Sequence, residues 1–441
     1  MTPATRGKHT FLFLQGPHGA FFDQLASALA MQGHAIRRIN LNGGDRADWS
    51  GFSTNYRSSL KGWPLFFDDF VVDHHVTDVI LFGDCRPHHA SAHGMAKLRG
   101  IRVHVFEEGY IRPDFMTLQE DGVNGNSTLP RDGDWYRDQA GRLSGIPPVA
   151  PVPSSFARRL RETSRYTILS ALTRPLYPFY RSHRSAAMLS EALGWAVHFI
   201  TRRRERRRSA ATMAAIGDTP YFALPLQLNS DYQIRVHSPF RDMRAALRFI
   251  IKSFARSAPP GVNLIVKRHP LDGSLSSWRR FVRREAHRYG IADRVFYIGD
   301  GDISDLVAKA RAVVTVNSTV GTLALNSGVP VAVLGEAIYD IEGIVRREPL
   351  DMFWADPPAV DVALYDAFKR VLIDRCLIPG GYLSDEGIAM LVRHAERRLT
   401  GEPVVAQTPE PADTAADTAA GTGSDDRDAD GELGAHDEDG V

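Results

Sequence analysis

Apolar residues along this chain fall into short runs that stop abruptly at glycine or polar residues, each followed by a segment with helical spacing. Phe11 to Leu14 is the first such run. It ends in Gln15-Gly16-Pro17-His18-Gly19-Ala20, a turn feeding a helix over Phe21 to Gln32. Gly33 closes that helix and Ala35 to Asn40 resumes as a strand, which makes a βαβ unit. Val76 to Phe82 reads as the next strand, stopping at Gly83-Asp84. Ala90 to Leu98 follows as a helix, and Arg102 to Phe106 as a strand that stops at Glu107-Glu108-Gly109. Strands that all end in polar or glycine-rich turns describe the carboxyl edge of a parallel sheet, where doubly wound folds bind ligands.

The pattern changes between about Pro147 and Arg208, which reads as helical with no strand periodicity. A second alternation then begins: strands over Tyr221 to Leu226, Asn263 to Lys267, Val295 to Ile298, Ala312 to Val316 and Pro330 to Leu334. Helices over 241–255, 278–289, 303–310 and 321–327 lie between them. The fold class expected is α/β, GT-B-like: two Rossmann-like lobes with a cleft between them. The boundaries expected are a first, acceptor-side lobe over 1–146, a basic helical linker over 147–215, a nucleotide-sugar lobe over 216–400 and a disordered acidic tail over 401–441.

Composition supports the tail assignment, because it is nearly free of large apolar residues and cannot offset its chain entropy by burial. The net charge of +1 hides an asymmetry. Twelve acidic side chains and one arginine lie from Gly401 on, so the rest of the chain carries 52 of the 53 Lys+Arg but only 40 of the 52 Asp+Glu. Between Phe156 and Arg208 there are thirteen Arg against three Glu, interleaved with aromatics. Such a segment suits an anionic lipid surface, or else a set of packed helices with solvated arginine faces. No nucleic-acid motif accompanies the charge, and no apolar run approaches the roughly 20 residues of a bilayer span. The N-terminus lacks the form of a signal peptide. Cys85 and Cys376 form no metal-ligand pair and read as buried free thiols of a reducing cytoplasm.

The candidate chemistry sits at the strand ends. Val316-Asn317-Ser318-Thr319-Val320-Gly321-Thr322 places hydroxyls and a helix start after an apolar strand, which suits a phosphate and equally suits an ordinary N-cap. Lys267-Arg268-His269-Pro270 offers three potential cations, or a solvated basic turn. Leu226-Gln227-Leu228-Asn229-Ser230-Asp231 sets amides and one carboxylate at the cleft. Asp231 there is a nucleophile or base, or else a helix cap. The adjacent Glu107 and Glu108 repel each other, which tends to raise one pKa, unless Arg112 ties them into a structural ion pair. The Gln15-Gly16 turn does not match a dinucleotide fingerprint.

Together these strings, with Phe11-Leu12-Phe13-Leu14-Gln15-Gly16-Pro17 and Glu107-Glu108-Gly109-Tyr110-Ile111-Arg112-Pro113-Asp114, resemble the capsular polysaccharide biosynthesis and export family in its KpsS/LipB type, over residues 9 to 395. The resemblance implies a β-Kdo transferase that uses CMP-Kdo and a (lyso)phosphatidylglycerol acceptor to start the capsule linker. Such a protein works in the cytoplasm, peripheral at the inner membrane, near a capsule biosynthesis and export complex. Retention in that group implies double displacement with Asp231 as nucleophile and Glu108 as acid/base, Glu107 being its rival. Gln227, Lys267, His269, Asn317, Ser318 and Thr319 would hold the nucleotide sugar, and Gln15, Gly16, Tyr110 and Arg112 would lie on the acceptor side or in the cleft. The scheme needs neither a metal ion nor a cofactor. A CDP-glycerol-type polyol phosphotransferase and a non-catalytic glycolipid-binding subunit are the competing readings.

Overall fold

A computed structural model describes residues 7–143, 149–181, 188–229, 231–272, 277–345 and 349–401. The expected acidic tail beyond Gly401 and Ser230 of the glutamine string lie outside the described residues.

The first sheet is built from β1 (Thr10–Phe13), β2 (Ala35–Asn40), β3 (Thr54–Asn55), β4 (Asp78–Phe82), β5 (Arg102–Glu108) and β6 (Phe115–Glu120). Its neighbours run β3-β2-β1-β4-β5, all parallel, and β6 then folds back antiparallel on β5. The second sheet holds β7 (Tyr221–Pro225), β8 (Asn263–Lys267), β9 (Val295–Ile298), β10 (Ala312–Thr315) and β11 (Val331–Val333). Its order is β9-β8-β7-β10-β11, again all parallel. Each lobe thus has the doubly wound Rossmann order: three strands laid down in one direction, then a return past the first to lay two in the other. The two-lobe α/β reading holds. The β7, β8 and β10 residues are buried throughout, as expected for strands covered by helices on both faces.

The lobe boundary at residue 400 does not hold for the last elements. A twelfth strand, β12 (Leu377–Pro379), pairs antiparallel with β6 and closes the edge of the first sheet. Helix Asp385–Thr400 then buries Ile388, Leu391, Ala395 and Leu399 in the first-lobe core with Phe11, Phe13, Phe21 and Phe22. The physical reason is an exposed edge: β6 offers unpaired N–H and C=O groups, and a short apolar strand followed by an amphipathic helix covers them. The chain therefore crosses between lobes more than once.

The described part of the expected linker is mainly helical, and its two long helices attach to different lobes. Helix Phe156–Leu172 lies on the first lobe, where Tyr166 Oη donates to Asp45 at 2.7 Å. Helix Met188–Ile216 reaches the second lobe, where Ser209 Oγ accepts the N–H groups of Gly299 and Asp300, each at 3.1 Å. Among the described residues no helix is long and apolar enough to cross a membrane.

Candidate functional site

In a doubly wound sheet, the strand order reverses at one point, and the loops on either side of it splay apart to leave a crevice. In the first lobe that point lies between β1 and β4, so the turns beginning at Gln15 and Gly83 flank it, with Glu107 one strand further on. In the second lobe it lies between β7 and β10, flanked by Gln227 to Asp231 and Asn317 to Thr319. Gln15, Gln227 and Asn317 thus sit at the switch points, while Glu107 and Lys267 end the strands next to them.

Glu107 and Glu108 close β5, and the pleat sends their side chains to opposite faces. Glu108 meets Arg112 at 2.9 Å, Arg159 at 3.2 Å and the Tyr382 hydroxyl at 2.9 Å. Burial pushes its pKa up, but the two guanidiniums and the phenol outweigh that and hold it below the usual glutamate value. Glu107 has no such cradle. One of its oxygens accepts the Glu108 N–H at 3.0 Å. Burial first, then the Glu108 and Asp231 charges, push its pKa up to about 7, against partial relief from Arg86. The adjacent carboxyl groups are therefore pushed in opposite directions, and the one raised toward neutrality is Glu107. The expectation that Arg112 forms a structural ion pair is met at Glu108 alone.

Asp231 reaches this neighbourhood from the other lobe. Its N–H donates to the Leu228 carbonyl at 3.0 Å, and its carbonyl accepts from Ile234 at 3.2 Å, so it opens the short helix Tyr232–Arg235. Its charge acts across the lobes on Glu107 and on the Cys85 thiol, raising the pKa of each.

The other candidates divide into ligand-facing and structural groups. Gln227 and Asn317 hold each other: Gln227 Nε2 donates to Asn317 Oδ1 at 3.0 Å, and the Asn317 N–H donates to Gln227 Oε1 at 3.2 Å. This pair ties the ends of β7 and β10 across the switch point. Ser318 and Thr319 are half-buried. Ser318 Oγ accepts the Val320 N–H at 3.2 Å, while Thr319 makes no side-chain cap bond to helix Val320–Asn326. Lys267 is buried, and desolvation lowers its pKa. The expectation of three cations at this turn needs correction at His269. Burial lowers its pKa to about 4, aided by the Arg112 and Lys267 charges. Its Nδ1 accepts the Leu271 N–H at 3.1 Å, so the neutral ring carries its proton on Nε2 and is a donor rather than a cation.

On the acceptor side, Tyr110 is 1% exposed and is not a cleft residue. Its hydroxyl donates to Gln119 at 2.6 Å and accepts the Asn124 N–H at 2.7 Å, and its carbonyl accepts Thr322 Oγ1 of the second lobe at 3.2 Å. Gln15 is likewise buried, with Oε1 accepting from Arg86 at 2.9 Å and Nε2 donating to Asp45 at 3.1 Å. Gly16 passes directly over the Phe22 ring, where a Cβ would sit 2.6 Å from a ring carbon. Arg112 remains half-exposed on Glu108. Sequence reasoning missed Arg86, Arg159 and Tyr382, the groups that set the two glutamates apart. They come from three distant segments and carry no local motif.

Residues 77–382 match the family described as "Capsule polysaccharide biosynthesis protein". Over 387 residues the chain is 34% identical to the capsule polysaccharide export protein KpsS of Escherichia coli, covering 84% of this chain and 96% of that protein. It is 33% identical over 389 residues to the capsule polysaccharide modification protein LipB of Neisseria meningitidis serogroup A, covering 85% and 91%. Among solved structures it is similar to Thermosulfurimonas dismutans KpsC, a beta Kdo 2,7 transferase, with a TM-score of 0.42 and 14% identity over 88% of this chain and 99% of that one. A family match over most of the chain, with relatives one-third identical almost end to end, means that this chain belongs to the capsule polysaccharide biosynthesis protein family.

Proposed function

We propose that the chain is a retaining β-Kdo transferase that moves Kdo from CMP-Kdo to a (lyso)phosphatidylglycerol acceptor and so begins the capsule linker. The observation that carries the chemistry is that Glu107, its pKa pushed up to about 7, feels the charge of Asp231 from the facing lobe. Double displacement needs a nucleophile and, for the second step, a base that can take a proton near neutral pH. Asp231 attacks the anomeric carbon, forming a glycosyl ester as the bond to the CMP phosphate oxygen breaks. The acceptor hydroxyl then attacks the same carbon, the ester bond breaks, and Glu107 takes the hydroxyl proton. Two inversions give net retention. Glu108, held ionised by Arg112 and Arg159, is a positioning residue in this scheme.

Lys267, the His269 Nε2–H and the Ser318 and Thr319 hydroxyls are assigned to the leaving CMP phosphate, where fixed donors stabilise developing charge. The CMP-Kdo donor is supported by the family resemblance rather than by geometry. The lipid acceptor draws support from helix Phe156–Leu172 and the turn after it. Phe156, Leu160, Ile168, Leu172, Leu176 and Phe179 are all more than half exposed there, beside the exposed Arg161. That combination suits a peripheral position on an anionic leaflet. The arginines do not all serve it: Arg158, Arg159 and Arg165 turn to Asp385, Glu108 and Asp48.

The purified full chain, incubated with CMP-Kdo and a fluorescent phosphatidylglycerol, is expected to give a lipid heavier by one or more Kdo residues, read by mass spectrometry. CDP-glycerol in place of CMP-Kdo is expected to give no product. Lipid binding without CMP release would replace this reading with that of a glycolipid-binding subunit.

A further inference from the structure

Asp84 and Cys85 follow β4 at the first lobe's switch point, and His237 follows helix Tyr232–Arg235 in the second lobe. The two strings are 152 positions apart, yet Cys85 Sγ lies 3.1 Å from His237 Nε2 and 3.3 Å from Asp84 Oδ1. One ligand atom from each of the three residues falls within 4.8 Å of the other two. We propose that Asp84, Cys85 and His237 bind a single borderline-soft divalent cation of the Zn2+ class, which ties the two lobes together beside the Glu107–Asp231 pair. The inference does not depend on the identity of the donor or acceptor.

The surroundings are those of a built site. His237 is 2% exposed, and its carbonyl accepts from Asn317 Nδ2 at 3.0 Å and from the Glu336 N–H at 2.7 Å, which fixes the ring's base. A Glu336 carboxylate oxygen lies 3.5 Å from Nδ1, on the side of the ring away from the thiol. A carboxylate behind a histidine favours the Nδ1–H tautomer and leaves Nε2 as the ligand. Asp84 Oδ2 is held by the Val123 N–H at 3.1 Å and Asn126 Nδ2 at 3.0 Å, while Oδ1 is the oxygen beside the thiol. Gly125 lies against both His237 and Glu336, and any Cβ there would collide with them. One carboxylate, one thiolate and one imidazole suit Zn2+ or Co2+, whereas Mg2+ and Ca2+ prefer oxygen alone. Three protein ligands leave a fourth position for water or a bound group. On binding, the Cys85 S–H bond breaks, a sulfur–metal bond forms and the proton leaves to solvent. The ion's two positive charges are matched by the thiolate and the Asp84 carboxylate.

The test uses the full chain, stripped with a chelator and titrated with Co2+ under a non-thiol reductant. Saturable binding of one Co2+ per chain is expected, with a thiolate-to-cobalt charge-transfer band in the near ultraviolet. Only two cysteines are present, so Cys85→Ser is expected to abolish that band and Cys376→Ala to retain it. Glu336→Gln is expected to weaken Co2+ binding by roughly 10–100-fold without removing the band. Absence of saturable binding in the unaltered chain, or a band that survives Cys85→Ser, overturns the proposal. The unaltered chain alone decides the first point if a variant fails to fold.

Discussion

Asp231→Ala is expected to lower Kdo transfer on the order of ten-thousandfold while leaving the fold intact. A nucleophile removed from a double displacement leaves no path to the ester intermediate, so the loss falls on kcat and not on KM. The backbone N–H and carbonyl bonds of Asp231 to Leu228 and Ile234 do not require the side chain, so the short helix it opens is expected to persist. Removing one carboxylate also lowers the repulsion on Glu107, whose pKa should fall. The check pairs initial rates with circular dichroism and thermal melting. Activity within tenfold of the unaltered chain, at an unchanged melting temperature, would remove Asp231 from the mechanism.

Glu107→Gln is expected to lose activity by roughly a hundredfold or more and yet to become more stable above neutrality. The folded-state pKa is raised from 4.5 to about 7, so the folded chain holds its proton more tightly than the unfolded one. Below about 4.5 both states are protonated and the site costs nothing. As pH rises through 4.5 toward 7, the unfolded chain releases this proton while the folded chain keeps it, so stability falls, and above 7, where the buried carboxylate ionises, the penalty is complete. Glutamine removes it, a gain on the order of 1–3 kcal/mol at pH 8 that vanishes near pH 4. Because the proposed base must be ionised, transfer by the unaltered chain should rise with pH through about 7. Glu108→Gln is expected to behave in the opposite way, with a milder loss of rate and a loss of stability. It strips Arg112, Arg159 and Tyr382 of the carboxylate they surround. Denaturant unfolding at two pH values, run beside rate measurements, separates the two glutamates. Equal and mild effects on rate would mean that the proton acceptor lies elsewhere.

The two glutamates also show where sequence reading stops. The parallel sheets were legible because their strands are short apolar runs ending in polar turns, and Ala35–Asn40, Asn263–Lys267 and Val295–Ile298 fall at the expected positions. The convergence of strand-end motifs followed from the same periodicity. What separates Glu107 from Glu108 is tertiary: Arg159 comes from the basic helix, and Tyr382 from a carboxyl-terminal segment expected in the other lobe. That segment was misplaced because β12 is three residues long and is set by the edge it pairs with. Tyr110 looked like a ligand contact because it lies in the most distinctive string of the chain. Such a string can equally encode a turn, and here the Tyr110 hydroxyl holds Gln119 and the Asn124 N–H while its carbonyl holds the Thr322 hydroxyl of the second lobe. His269 sits where a cation was expected, but its charge is set by burial, which a local string does not reveal. The Cys85–His237 contact spans two lobes and has no spacing signature.

The central claim is that carboxylates from the two lobes divide the work, with Asp231 forming the covalent bond. Its most direct test is the intact mass and peptide map of the full chain quenched after exposure to CMP-Kdo without acceptor. A mass increase of one Kdo residue, mapped to the peptide containing Asp231 and absent from Asp231→Ala, is the result predicted. Turnover on acceptor with no adduct, or an adduct mapped to another residue, would contradict it.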